Sequence, residues 1–468
     1  MDNSNTSPSQ NPPETLTWIE RLLASGADIK PGEGWNIILL MGSLFFLLLT
    51  AYLLKPVRDT LILVEGGAEV RSYAVALQVV VLVILLPIYG IFSRQFSSRK
   101  FMIYIAVFFS FNLFLFYFLG QKGHQLSIPF FLWLGAFGVL MVSQFWAFTS
   151  QVYNKKSGER LFALVAVGAS LGAWVGSAIS RGLMDYFNSF QMLLISIIPL
   201  LISAYLAANV KIQDSAGFIE PPTSTEKQPS LLSGFSLVSK SQYLLLIAIF
   251  VILMNWCSSI GEYLMAVLVE TFYQQGAELG NITDSKESYI GKFYSEFYFW
   301  VNLIGLFMQF FIVSRLIKWA GFNIAFILTP LLIFMGYGLL AFFPLVALFK
   351  VIKVSENGLN YSLQKTTLQI LFLPTTRREQ YEARAVIDTV CWRIGDLLQA
   401  ATVFIGLNLL NILPQKFLYL NLILTLLMII LAYFIGKNYL QKSRNERSNT
   451  VSSPEENLIA NRNNVPIN

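Results

Sequence analysis

Long apolar runs recur along this chain and limit the folds that it can adopt. Each run covers about 18–25 residues, the length that an α-helix needs to cross a lipid bilayer. Charged residues make up only 13% of the 468 residues and hydrophobic residues 55%, whereas a soluble domain carries about 25% charged residues. Lipid cannot satisfy free backbone groups, and the runs lack the two-residue alternation of a β-barrel. The sequence therefore predicts an all-α membrane protein.

The runs predict about twelve membrane-spanning helices. The expected spans are 35–55, 73–94, 101–119, 128–152, 161–184, 188–209, 242–268, 293–315, 322–342, 344–370, 382–409 and 416–436. The stretch that separates six spans from six is rich in Pro, Ser, Thr and Lys, as flexible linkers are. The predicted division is a polar segment with a short amphipathic helix over 1–34, a six-helix bundle over 35–210, a cytoplasmic linker over 211–241, a second six-helix bundle over 242–438 and a disordered cytoplasmic tail over 439–468.

The two groups of six spans resemble each other at one short motif. Residues 91–94 (IFSR) precede the third span, and residues 312–315 (IVSR) precede the ninth span. In each half, the Ser-Arg pair closes the second span. The halves of the major facilitator fold are parallel repeats that bind substrate at their interface, near the middle of the bilayer. The repeat therefore predicts a major-facilitator-like arrangement of two bundles.

Basic residues are concentrated in alternate short loops. They are Arg94, Arg99, Lys100, Lys155, Lys156, Arg160, Arg315, Lys318, Arg377, Arg378 and Arg384. The loops between them carry mainly acidic residues, which are Glu65, Glu69, Glu270, Glu278, Asp284 and Glu287. Loops rich in Lys and Arg remain on the cytoplasmic side. Both termini are therefore expected in the cytoplasm, and the net charge of +6 is explained without a nucleic-acid partner.

The residues that enzymes and metal sites require are scarce. Cys257 and Cys391 are far apart in apolar segments, and the one histidine, His124, lies in a short polar loop. This spacing forms neither a disulfide framework nor a metal site. The sequence also has no phosphate-binding loop or nucleophile elbow. We therefore expect neither an enzyme nor a bound cofactor.

The first span ends in a charged motif. Lys55, Arg58 and Asp59 surround Pro56, and an ionisable residue inside a membrane span usually has a function. Proline removes a backbone donor and kinks a helix, so Lys55 and Arg58 could face a central cavity and bind phosphate. The alternative is that the span ends here and the charges contact lipid headgroups.

Polar residues also interrupt the seventh and tenth spans. Glu262 follows about twenty mainly apolar residues and could face a cavity or mark the outer end of its span. In the tenth span, Glu356, Asn360 and Gln364 are four residues apart and share one helical face. Lys353 and Asn357 share a neighbouring face. Lys353 could pair with Glu356 or Asn357 across one turn. A structural polar network is the alternative to ligand binding there.

The eleventh span carries charges of both signs. Asp388, Arg393 and Asp396 lie within one apolar run. An ion pair between Asp388 and Arg393 is expected inside the bundle. Gating and locking of helices remain alternatives to ligand contact for these three residues.

The fifth span has a stripe of small residues. Gly168, Gly172 and Gly176 are four residues apart, so they lie on one face of a helix. Small residues at this spacing let transmembrane helices approach closely. The stripe therefore predicts close packing against another helix.

Several motifs together resemble the bacterial and plastid ATP/ADP translocases, particularly their shorter bacterial relatives, the NTP/NTP exchange transporters. The motifs are 54–61 (LKPVRDTL), 145–148 (FWAF), 160–163 (RLFA), 168–172 (GASLG), 353–357 (KVSEN), 361–364 (YSLQ), 385–390 (AVIDTV) and 392–396 (WRIGD). The resemblance implies a major-facilitator-like fold and exchange of nucleotides across a membrane. Arg58 aligns with a family lysine and Glu262 with a family glutamate. Leu134 and Asp396 depart from the family's glutamate and lysine.

The residues and the resemblance together predict a secondary transporter that exchanges nucleotides or related phosphorylated anions. Expected substrate-binding residues are Lys55, Arg58, Glu262, Lys353, Asn357 and Arg393. Expected gating or coupling residues are Asp59, Glu356, Asp388 and Asp396. We expect a monomer in the lipid bilayer of a bacterial inner membrane. The alternatives are a proton-coupled transporter of another metabolite, with Glu356, Asp388 and Asp396 carrying protons, and a membrane scaffold or regulatory protein.

Overall fold

The computed structural model describes residues 17–23, 28–153, 155–211, 231–343 and 345–462, and these contain helices but no strand. The α-helices are α1 (Trp18–Leu23), α2 (Gly34–Glu65), α3 (Gly67–Gln95), α4 (Ser98–Gln121), α5 (Ser127–Val152), α6 (Lys155–Leu183), α7 (Ser189–Ala208), α8 (Leu231–Lys240), α9 (Gln242–Glu278), α10 (Lys286–Phe307), α11 (Val313–Phe342), α12 (Val346–Leu359), α13 (Lys365–Leu371), α14 (Arg384–Val386), α15 (Trp392–Phe404) and α16 (Phe417–Arg462). Five π-helical turns cover Met308–Ile312, Asn360–Gln364, Glu379–Ala383, Ile387–Cys391 and Ile405–Leu409.

Within the described residues, 10 segments are long and apolar enough to cross a membrane. One of them, Lys286–Phe342, divides into two helices at Gly321, whose φ of 80° is a conformation that glycine adopts readily. The helices Val346–Leu359 and Lys365–Leu371 form a further passage, which is not among the 10 segments because it contains many charged residues. Dividing one segment and adding this passage gives about twelve membrane passages. This confirms the predicted all-α membrane fold.

The charged motif near Pro56 lies inside α2 and not at the end of a helix. The predicted first span stopped at residue 55, but α2 continues to Glu65 with Pro56 in its interior. The Thr60 hydroxyl donates a hydrogen bond to the Pro56 carbonyl at 2.8 Å. Asp59 is fully buried. The motif therefore contacts protein and not lipid headgroups.

Two large clusters of buried apolar side chains form the core. All buried members of one cluster come from residues 29–210. The other is formed mainly by residues 238–435 and also includes Tyr52, Ile62 and Phe131. Most of the predicted linker, 212–230, lies outside the described residues, and α8 occupies its last part. The helix α16 continues to Arg462, into the segment predicted as a tail.

The glycine stripe of α6 packs directly on the backbone of α2. Cβ atoms added at Gly168, Gly172 and Gly176 would lie 2.3, 2.1 and 2.6 Å from the carbonyl oxygens of Met41, Phe45 and Leu49 respectively. Any side chain larger than hydrogen would collide with these oxygens. The prediction that this stripe brings two helices close together is confirmed.

Hydrogen bonds join the two halves at the end of the bundle where α2 finishes and α3 begins. The Ala68 N–H donates to the Glu270 carboxylate at 2.9 Å. The Lys286 ammonium donates to the Leu63 carbonyl, also at 2.9 Å. Further pairs at or towards this end are Ser72 with Gln399, Ser180 with Ser295, and Glu69 with Asn408. These contacts hold the acidic-loop end of the two bundles together.

Candidate functional site

A polar cavity lies between the two halves. The first half contributes Arg58, Arg71, Val75, Gln78 and Phe131 to its wall, and the second half contributes Asn255, Ser258, Ser259, Glu262, Asn357, Asn360, Tyr361, Trp392, Arg393, Asp396 and Gln399. The cavity has a volume of about 220 Å³. That volume holds several water molecules, so the charged groups on the wall can remain hydrated.

Asp59 lies behind the wall and holds two arginines in place. Its carboxylate accepts hydrogen bonds from Arg58 Nη2 at 3.0 Å, from Arg71 Nε at 3.2 Å and from the Tyr298 hydroxyl at 2.7 Å. The Arg58 guanidinium also lies 4.8 Å from the centre of the Phe131 ring, a distance at which a cation and an aromatic face attract each other. Asp59 therefore fixes the orientation of both guanidinium groups.

Arg71 links the two halves through an ion pair. Its Nη2 donates to Glu262 Oε2 at 2.9 Å, with the side chain of Arg71 4% exposed and that of Glu262 36% exposed. Arg71 was not among the site residues predicted from the sequence, because Arg71 follows Glu65 and Glu69 in a segment that was expected to be an acidic loop. The available signal was that Arg71 is the one basic residue within 59–93.

A second charged group surrounds Asp396 in α15. Its carboxylate accepts from Arg393 Nη1 at 3.1 Å and from the Asn255 amide at 2.8 Å. The expected ion pair between Asp388 and Arg393 is wrong, because Asp388 pairs with Arg384 at 3.2 Å on an exposed face. Arg393 pairs instead with Asp396, which lies three residues further along the same α-helix. Asp388 is outside the cavity.

Lys353 and Glu356 form a buried pair that does not face the cavity. Their nitrogen and oxygen are 2.8 Å apart, and each side chain is 1% exposed. The lysine also donates to the Ser258 carbonyl at 2.8 Å, and the glutamate accepts from the Tyr337 hydroxyl at 2.9 Å. Asn357, one residue further along α12, does line the cavity. The expected pairing of Lys353 with Glu356 is confirmed, while Lys353 has no surface for a ligand in this conformation.

The structure brings some of the predicted site residues together and separates others. The residues that line the cavity are Arg58, Glu262, Asn357, Arg393 and Asp396. Those that do not line it are Lys55, Asp59, Lys353, Glu356 and Asp388. The ammonium of Lys55 lies 3.8 Å from the centre of the Tyr52 ring, so its charge is stabilised by an aromatic face. The transport roles predicted for these residues stay predictions.

The cavity wall carries more cationic than anionic side chains. Three guanidinium groups and two carboxylates line the cavity, and arginine presents a planar set of donors that matches phosphate oxygens. No group of side chains suited to a metal ion is found among the residues that the structure describes. The excess of guanidinium groups over carboxylates on this wall is compatible with an anionic guest.

Comparison with known proteins confirms the resemblance inferred from the motifs. Residues 131–356 match the model of the TLC ATP/ADP transporter family. The chain is 21% identical over 297 residues to ADP,ATP carrier protein 1 of Chlamydia pneumoniae. This alignment covers 55% of this chain and 56% of the relative. It is 22% identical over 295 residues to the protein of the same name from Chlamydia trachomatis, covering 55% of this chain and 54% of the relative. The chain thus spans about half the length of these curated relatives.

Solved structures of membrane transporters share the fold. The nucleoside transporter NupG superimposes with a TM-score of 0.61 at 12% identity, covering 86% of this chain and 99% of NupG. A bacterial homologue of the iron transporter ferroportin, in its inward-facing state, gives a TM-score of 0.57 at 13% identity, covering 86% of this chain and 98% of that structure. The chain therefore has a major-facilitator-like fold, as predicted.

Proposed function

We propose that this chain, whose sequence matches the ATP/ADP transporter family and whose fold is that of membrane transporters, exchanges nucleotides or related phosphorylated anions across a membrane. The observation that supports this most is that arginines from both halves line one cavity: Arg58 and Arg71 from the first half, and Arg393 from the second. A phosphate bound there would contact both bundles at once. No hydrolysis is involved, so the solute leaves unchanged.

The carboxylates stabilise the cations on the cavity wall. Buried cations without partners are costly, and Glu262 and Asp396 pair with Arg71 and Arg393. An incoming phosphate competes with these carboxylates for the same guanidinium groups. When one anion leaves, another anion or the carboxylate takes its place. Such competition suits the exchange of one anion for another.

The two halves supply the movement that transport needs. They are held together at the acidic-loop end by contacts such as that of Ala68 with Glu270, and the cavity lies between them. Rocking of the bundles around a central site is the usual mechanism of such folds. The distribution of basic residues supports cytoplasmic termini, and we assign the acidic-loop end to the outside of a bacterial inner membrane. A single chain contains both halves of the cavity, so a monomer suffices.

Transport by the purified full chain in liposomes tests this proposal. Vesicles loaded with ADP should accumulate labelled ATP, and vesicles without internal nucleotide should accumulate far less. Arg58→Gln should reduce uptake at least tenfold, because hydrogen bonds to charged groups contribute about 1.5–3 kcal/mol each. The matched control is Arg378→Gln, since Arg378 is 65% exposed and pairs with Glu382 on the surface. Equal uptake by wild type and Arg58→Gln would reject the proposal.

A second candidate is proton-coupled transport of another metabolite. The observation that favours it is that Asp396, one of the carboxylates predicted to carry protons, lies on the cavity wall. In the same vesicles, a pH gradient would then drive solute uptake without internal nucleotide. Asp396→Asn would abolish that dependence on pH. Exchange that ignores the pH gradient would eliminate this candidate.

A further inference from the structure

Two partly exposed aromatic side chains project into the cavity from the second half. Tyr361 is 48% exposed and Trp392 is 38% exposed, and both line the cavity. Large aromatic rings in a protein interior are usually buried. Here they line a polar cavity together with charged side chains. An apolar ring in such a place is poorly solvated unless a ligand covers its face.

Both aromatic residues lie at π-helical turns. Tyr361 is the second residue of the turn Asn360–Gln364, and Trp392 follows the turn Ile387–Cys391 directly. A π-helical turn inserts one residue into a helix and is frequent at functional sites. The two turns interrupt the helices of the tenth and eleventh spans. Both aromatic residues line the cavity on the side that the second half contributes.

Amide groups accompany the aromatic rings on this wall. Asn357, Asn360 and Gln399 all line the cavity. The side-chain oxygens of Asn360 and Gln399 are buried and have no hydrogen-bond partner among the described residues. The amide nitrogen of Gln399 is held by Ser72 at 2.9 Å. A buried acceptor without a donor is unfavourable, so a ligand that supplies N–H groups would satisfy both oxygens.

The charge on the cavity wall is unevenly divided. The guanidinium groups of Arg58 and Arg71 in the first half share one carboxylate of that half, that of Asp59. Among the described residues, Arg393 in the second half is the one arginine that pairs with the carboxylate of Asp396. The wall of the first half therefore attracts phosphate, and the wall of the second half offers rings and amides. A ligand with a charged end and a flat, hydrogen-bonding end matches this division.

We propose that Tyr361, Trp392 and the amides of Asn357, Asn360 and Gln399 form a subsite for the base of a nucleotide, with the phosphates directed towards Arg58, Arg71 and Arg393. The inference rests on the proposed transport of phosphorylated anions and specifies their class. Every nucleobase has a π-face that stacks on aromatic rings. Side-chain amides can both donate to and accept from the edge of a base. The subsite therefore selects nucleotides over phosphates that lack a base.

Ligand binding to the purified full chain tests the subsite. ATP and inorganic tripolyphosphate carry the same number of phosphates, but only ATP has a base. The shift in unfolding temperature with ligand concentration gives an apparent Kd for each. Wild type should bind ATP more tightly than tripolyphosphate. Trp392→Ala and Tyr361→Ala should each weaken ATP binding by roughly 5- to 100-fold and leave tripolyphosphate binding unchanged, as expected for the loss of one stacking contact.

Two further variants control for folding. Trp392→Phe retains an aromatic face and should preserve most of the preference for ATP. Trp319→Ala removes a tryptophan that is 82% exposed and does not line the cavity, so both Kd values should stay at the wild-type level. A variant that unfolds without ligand at the wild-type temperature is correctly folded and can be compared directly.

The outcomes separate this inference from the proposed function. If wild type binds ATP and tripolyphosphate equally tightly, the base subsite is rejected, while transport of phosphorylated anions stands. The subsite is also rejected if Trp392→Ala and Tyr361→Ala leave the preference for ATP unchanged. If neither ligand binds wild type, both proposals fail. A preference for ATP that disappears in these two variants supports the subsite.

Discussion

The guanidinium of Arg71 in the first half and the carboxylate of Glu262 in the second half are 2.9 Å apart. Arg71 also donates to Asp59, which is fully buried and accepts a further bond from Tyr298 of the second half. Arg71 therefore forms ion pairs with both bundles, with Asp59 in the first half and with Glu262 in the second half. Separation of the bundles at this end requires the pair with Glu262 to break.

The first prediction concerns the energy of this pair. Arg71→Met and Glu262→Gln should each destabilise the protein, and their effects should be less than additive, with a coupling of about 1–2 kcal/mol. The coupling is smaller than for a fully buried pair because Glu262 is partly solvated. Thermal unfolding of the two single variants and the double variant in detergent measures it. Additive effects would show that the pair contributes nothing to holding the halves together.

The second prediction concerns the glycine stripe. Gly172→Ala should lower the free energy of unfolding by about 1–3 kcal/mol, as overpacking does, because the new methyl group would lie 2.1 Å from the Phe45 carbonyl oxygen. Gly138→Ala is the matched control, since a Cβ atom at Gly138 in α5 meets nothing within 4 Å. The control should keep or slightly raise stability, because alanine favours helix over glycine. Similar losses in both variants would contradict the packing assigned to α2 and α6.

The third prediction separates stability from binding at Lys353. Because Lys353 and Glu356 are a buried pair away from the cavity, Lys353→Met should destabilise the fold by about 3–5 kcal/mol. The fraction that remains folded should bind ATP with the wild-type Kd. Adding Glu356→Leu should recover part of the stability, since it removes the unpaired carboxylate. A large rise in Kd without a loss of stability would restore Lys353 to the substrate site.

The fourth prediction concerns pH and the short helix α1. Thr17 and Glu20 form a reciprocal cap in which the Thr17 N–H donates to Glu20 at 2.8 Å, and Glu20 also accepts from the N–H groups of Gly32 and Gly34. The backbone N–H of Thr17 is the main cause that lowers the pKa of Glu20 below its usual value of 4.5. Because the folded pKa is lowered, this stabilisation is present above about pH 4.5 and is lost as the pH falls through the folded pKa.

A spin label at residue 18 measures this effect. Trp18 is 76% exposed, and the two native cysteines are buried, so a thiol label on Trp18→Cys is selective. The label should become more mobile as the pH falls below about 4.5. With Glu20→Gln in addition, it should already be mobile at neutral pH. Equal mobility at all pH values in both proteins would show that Glu20 does not hold α1 in place.

Features that depend on a run of neighbouring residues were predictable from the sequence. Apolar segments of about 20 residues predict membrane helices. The spacing of the glycines from Gly168 to Gly176 predicts that another helix packs closely against this face. Helix ends were less predictable. Pro56 suggested an end for the first span, but tertiary packing continues α2 to Glu65.

Side-chain partners across the two halves were not predictable. Arg71 lies among acidic residues, and only the fold shows that it is buried and paired with Glu262 from a distant helix. Lys353 and Asn357 share a helical face by spacing, yet one is buried in a pair and the other lines the cavity. The π-helical turns before Trp392 and at Tyr361 leave no signal in the residue pattern. They alter which side chains reach the cavity.

Titration of ATP into purified wild type, Arg58→Gln and Arg393→Gln tests most directly whether arginines of both halves bind one phosphorylated ligand. Each of these variants should raise the Kd for ATP roughly tenfold or more, because each removes charged hydrogen bonds to phosphate. The surface variant Arg378→Gln should leave the Kd unchanged. A Kd that stays at the wild-type value in Arg58→Gln or in Arg393→Gln would contradict a site shared between the two bundles.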